Sequence, residues 1–76
     1  MPDNIERLRE AGFKINTGTP EAYEDVLRDL SEEEMDALTL MSLRQIKALN
    51  SVAEKLNRTH RRRALKRHWT YYILPP

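Results

Sequence analysis

Cysteine is absent from the 76-residue chain, which excludes disulfides and any thiolate-bound metal. The only histidines, His60 and His68, lie inside a run of positive charge that opposes metal binding. No uncharged apolar stretch approaches the roughly 20 residues needed to cross a bilayer. Residues 1–20 mix acids and bases without an apolar core, so no signal peptide is expected and a cytoplasmic location is. There are no internal repeats, no low-complexity linker and no catalytic, metal or cofactor motif. No enzyme, cofactor or small-molecule substrate is expected. Acidic residues, finally, are missing from positions 58–76.

That last absence defines the chain. Residues 58–76 carry six Lys/Arg, a formal +6, whereas residues 1–57 hold seven Lys/Arg against twelve Asp/Glu, a formal −5. The overall +1 hides two poles. A domain of this size buries only about 60% of its unfolded surface, and 39% hydrophobic with 33% charged residues leaves a thin core. Reinforcement is expected from oligomerisation or from docking on a larger partner.

Local signals place the elements. Asp3 or Asn4 can cap a first helix, NIERLREA, which Gly12 is placed to end. Phe13 and Ile15 alternate in a short extended segment, and Asn16-Thr17-Gly18 signals a turn. Thr19 as cap and Pro20 at the first helical position open a second helix, with Tyr23, Val26, Leu27 and Leu30 on one stripe. Ser31-x-x-Glu34 fits a capping box at the start of a long amphipathic helix over about 32–56. Met35, Leu38, Met41, Ile46, Leu49, Val52 and Leu56 share one face of it, a packing surface or the seam of a homodimer. Leu40 falls off that face and Leu43 borders it. A break is expected near 57–59, with Thr59 capping a further short helix; the alternative is one helix running on to 68. TYYIL is β-branched and aromatic, hence extended, and Pro75-Pro76 forbid further helix.

Residues 21–36 hold eight carboxylates and one base, Arg28. Their positions at two helix N-termini suit the helix dipole, and Asp25, Asp29 and Glu33 lack the Gly-centred loop of a calcium site. The basic run is more informative. Arg58, Arg61, Arg62, Arg63, Lys66 and Arg67 spread charge around a helix, and arginine favours bidentate contact with phosphate or carboxylate. Trp69, Tyr71 and Tyr72 add flat faces for stacking. The competing expectation is that residues 21–36 and 58–67 neutralise one another. For the tail, three outcomes are open: a clip in which it pairs with residues 13–15, strand addition to a partner's sheet with Ile73 and Leu74 taking part, or a tail that is itself a substrate.

The third outcome has a family behind it. LSEEEMDAL, Leu30 to Leu38, resembles the acidic helical leaders of ribosomally synthesised, post-translationally modified peptide precursors. The match covers nine residues. The resemblance implies a maturation enzyme that binds the leader and modifies an aromatic core, HWTYYILPP, by oxidative cross-linking at Trp69, Tyr71 or Tyr72.

The sequence therefore predicts a mostly α protein. It comprises an acidic helical domain (1–57) with two short helices and one long one, a basic helical arm (58–68) and an extended aromatic tail (69–76). The expected function is that of a small non-enzymatic adaptor. Its six arm residues neutralise an anionic partner, foremost nucleic acid or a ribonucleoprotein, otherwise an acidic protein surface, and Trp69, Tyr71, Tyr72, Ile73 and Leu74 anchor it. The alternatives are a protein–protein module acting through the tail, and the modified precursor.

Overall fold

The computed structural model describes residues 3–40 and 42–76. It contains α1 (Asn4–Glu10), β1 (Lys14–Ile15), α2 (Glu21–Arg28), α3 (Glu32–Thr39), α4 (Leu43–Arg63), a 3-10 turn at Trp69–Tyr71 and β2 (Ile73–Leu74). The expected mostly helical class holds. Asp3 caps α1 by accepting the Glu6 N–H, and Ser31 and Glu34 form the reciprocal capping box of α3. Asn4 serves a different purpose: its side-chain amide donates to the carbonyls of Leu27, Arg28 and Leu30, fastening α1 to the end of α2. Thr19 does not cap α2. It is buried and its hydroxyl donates to the Asn16 carbonyl inside the turn, leaving Pro20 at the helix start with no side-chain cap.

The long helix begins later than expected, at Leu43, and reaches Arg63. The segment expected to be continuous from 32 is divided, because Leu40 and Ser42 adopt extended backbone. Packing explains the division. A straight helix over 32–56 would be about 37 Å long, and its apolar face would have only short elements to cover it. Folding back at the turn sets Met35 and Leu38 against the same cluster as Val52 and Leu56, all nearly inaccessible to solvent. Gln45 Nε2 closes the turn by donating to the Leu38 carbonyl at 2.7 Å, one of the acceptors a helix end leaves free. Leu49 is half-buried against the core, whereas Leu40, Leu43 and Ile46 are exposed. Met41 lies outside the described residues.

Two helices end in the same way. After α1, the Gly12 N–H bonds the Arg9 carbonyl and the Phe13 N–H bonds the Leu8 carbonyl, with Gly12 at φ +105°. After α4, the Ala64 N–H bonds the Arg61 carbonyl and the Leu65 N–H bonds the His60 carbonyl, with Ala64 at φ +49°. Both are Schellman terminations. The second carries alanine where glycine is the unstrained choice. The helix accordingly neither breaks at 57–59, where the Thr59 hydroxyl donates to the Lys55 carbonyl within the helix, nor runs on to 68. Leu65, packed against the core, helps to hold the corner. Ala64→Gly is expected to stabilise the protein by about 0.5–1 kcal/mol in chemical denaturation; unchanged or lower stability would contradict the left-handed corner.

The tail then returns to the far end of the sequence. β1 and β2 pair antiparallel with Lys14 opposite Leu74 and Ile15 opposite Ile73, and the Asn16 N–H extends the ladder to the Tyr72 carbonyl. Of the expected extended segment 70–74, only Ile73–Leu74 is strand; Trp69–Tyr71 turns as a 3-10 helix capped by His68. Ile15 and Ile73 are 6% and 4% exposed, so the clip closes one side of the core.

Candidate nucleic-acid interface

Four arginines occupy the last turns of α4, where cations suit the helix dipole. All four, with Lys66 and Arg67 beyond the corner, are exposed. The corner is pinned from beneath by Tyr23 of α2. Its hydroxyl donates to the Arg67 carbonyl at 2.8 Å, which leaves His60 Nδ1, also 2.8 Å away, to donate its hydrogen to the phenol oxygen. Burial pushes the Tyr23 phenol above its ordinary pKa, and Tyr72 adds to the effect. The chain beyond the corner is fixed by Asn57. Its Oδ1 accepts the Trp69 indole N–H at 2.7 Å and lies 2.9 Å from His68 Nε2. Because His68 Nδ1 accepts the Thr70 N–H, the hydrogen of this ring belongs on Nε2.

These contacts divide the aromatic residues. Trp69 is half-buried, its ring packed on the core and its N–H engaged. Tyr72 is half-buried with its ring centroid 6.1 Å from that of Tyr23. Tyr71 is 58% exposed, and the Arg67 guanidinium lies 4.3 Å over its ring. Of the three residues proposed to stack, Tyr71 presents the most open ring.

Part of the acidic pole is paired elsewhere. Glu32 pairs with Arg7 at 2.6 Å, Glu34 with Lys55 at 2.7 Å, and Glu24 and Asp3 both meet Arg28. The hydrogen bond from Lys55 holds the Glu34 carboxyl below its ordinary pKa, and that from Arg7 does the same for Glu32. A depressed carboxylate supports the fold above its unfolded pKa and loses that support only as pH falls through the lowered value. At neutral pH both acids are thus engaged. Asp25 and Asp29 do share a shallow polar groove with Arg62 and Arg63, yet among the described residues no ion pair within 4.0 Å involves positions 58–67.

The clip also gathers residues to which the sequence assigned no binding role. Arg9, Lys14 and Asn16 line an open groove of about 420 Å3 together with Tyr71, Tyr72 and Leu74. Arg9 is laid across the strand, Nε and Nη2 donating to the Ile15 carbonyl at 3.2 and 2.9 Å. Only the pairing of residues 13–15 with the tail could have pointed to this set. Among the described residues no three His, Asp or Glu side chains are grouped as metal ligands would be, and no helix is long and apolar enough to cross a membrane. No family model, curated protein or solved structure matches the chain.

Proposed function

We propose that this chain is a non-enzymatic binding protein that docks on nucleic acid, free or within a ribonucleoprotein, through the basic end of α4 and the corner that follows it. The observation that carries the reading is that Arg58, Arg61, Arg62, Arg63, Lys66 and Arg67 have no ion-pair partner among the described residues, although a carboxylate-rich helix lies beside them. Like charges at helical spacing repel. Beyond the helix-dipole interaction, leaving them exposed contributes little to the fold, whereas phosphates along a strand neutralise them and release counterions. The arginine forks suit phosphate geometry. Ile73 and Trp69 are held against the core, so a reading in which Ile73 anchors in a partner's sheet or Trp69 is modified requires them to leave it, whereas Tyr71 is exposed as it stands.

The test is fluorescence anisotropy with labelled 20-nucleotide strands of unrelated sequence at about 50 mM salt. Sequence-independent affinity, in the region of 10⁻⁴–10⁻⁶ M or tighter, is the expected result. An absence of measurable binding to every strand rejects the proposal.

A further inference from the structure

The groove formed by the clip lies next to the basic face, and its chemistry differs from it. Its outer wall is Tyr71, with Tyr72 set edge-on beside it, the ring centroids 5.0 Å apart and the planes at 80°. Arg9, Lys14 and Asn16 line the same groove. None of the lining residues is acidic. The volume, about 420 Å3, falls in the range of roughly 300–1,000 Å3 typical of sites for small ligands.

Each polar wall residue has donors to spare. Arg9 is already anchored through Nε and Nη2 to the Ile15 carbonyl, so its guanidinium is held in place while Nη1 makes no hydrogen bond among the described residues. Lys14 is exposed and makes no ion pair among the described residues. Asn16 uses its Oδ1 to accept the Gly18 N–H at 2.8 Å, and its amide nitrogen, a donor only, makes no hydrogen bond among the described residues. The groove is therefore lined by two cations, a side-chain amide and an aromatic ring that carries Arg67 over one face. Arg67, stacked on Tyr71, joins it to the basic end of α4.

We propose that this groove binds one nucleotide of a single-stranded nucleic acid, its base against Tyr71 and its phosphate against Arg9 and Lys14, as a continuation of the basic face. The inference rests on the reading above. A single strand is specified because a base can stack on a side chain only when it is not already stacked within a duplex. The cations supply phosphate contact without reading sequence, and the Asn16 amide adds a donor for a base edge.

The experiment compares oligo(dT) and oligo(U) of about 12 nucleotides with a hairpin duplex, by anisotropy at about 50 mM salt. The proteins are the full chain and its Tyr71→Ala, Tyr71→Phe and Lys14→Glu variants, with the Arg58, Arg61 and Arg62 triple glutamine variant alongside. Tyr71→Ala is expected to weaken single-strand binding about tenfold while barely affecting the duplex. Tyr71→Phe, which keeps the aromatic face, is expected to bind nearly as the parent does, and Lys14→Glu to lose about tenfold. Both positions are exposed, so the variants should retain the parent's circular dichroism; if Tyr71→Ala does not, Tyr71→Phe and Lys14→Glu decide the matter. Parent-like binding by Tyr71→Ala and Lys14→Glu, with the triple variant still impaired, overturns the groove and leaves the basic face standing. Equal losses on duplex overturn the single-strand assignment, and a Tyr71→Phe variant as weak as Tyr71→Ala overturns stacking. No binding by the parent overturns both proposals.

Discussion

Replacing Arg58, Arg61 and Arg62 together with glutamine is expected to weaken binding to a single strand by about 100-fold near 100 mM salt. Three phosphate contacts disappear, each contributing about 0.9 kcal/mol at an exposed, screened site, and fewer counterions are released on binding. The fold should tolerate the change, since all three are exposed and none bonds a carboxylate among the described residues. Removing like charges spaced four apart, as at Arg58 and Arg62, offsets part of the lost dipole interaction. The proper control is Arg44→Gln with Lys47→Gln, two exposed cations near the opposite end of the same helix. It alters net charge without touching the basic end and is expected to change affinity by less than about threefold. Equal losses from the two variants would mean that net charge, rather than the surface at 58–67, governs binding.

The second large effect is on stability. Ile73→Ala is expected to cost about 2–5 kcal/mol, the range for truncating a buried isoleucine, because Ile73 is 4% exposed and pairs with Ile15 in the clip. A chain of this size has a total stability of only about 4–11 kcal/mol. The loss should lower the melting temperature by roughly 8–40 °C, taking about 4–8 °C per kcal/mol for a small domain. Leu74→Ala, one residue on but facing outward and 49% exposed, should change it by only a few degrees. The contrast distinguishes a tail built into the core from a free arm. Matching melting curves for the two variants would show that residues 73–74 are not held as the pairing with β1 requires.

The parts of the fold that were legible in the sequence are those specified by local chemistry. Asp3, Gly12 and the Ser31–Glu34 box act where their residue types favour them, since each satisfies backbone groups within a few positions. The division between α3 and α4 was hidden for a geometric reason. Met35 and Leu38 have the phase that a continuous helix would give them relative to Val52 and Leu56, and periodicity cannot tell a straight face from one folded onto itself. The corner at Ala64 was hidden because its left-handed backbone is occupied by a residue that gives no glycine signal. The basic run was visible as composition, but whether it was neutralised depended on where Arg7, Arg28 and Lys55 lie in space. The clip of the tail on residues 13–15 was one of three outcomes the sequence left open, and Arg9, Lys14 and Asn16 come together with Tyr71 only once that outcome is chosen.

The measurement closest to the central claim is the salt dependence of single-strand binding, from about 50 to 200 mM. If four to six of the basic residues contact phosphates, log K should fall against log salt with a slope of about −3 to −4. The triple glutamine variant should lose about 2 from that magnitude. A slope near zero, or one that the triple variant leaves unchanged, would contradict an interface built on the unpaired cations of α4.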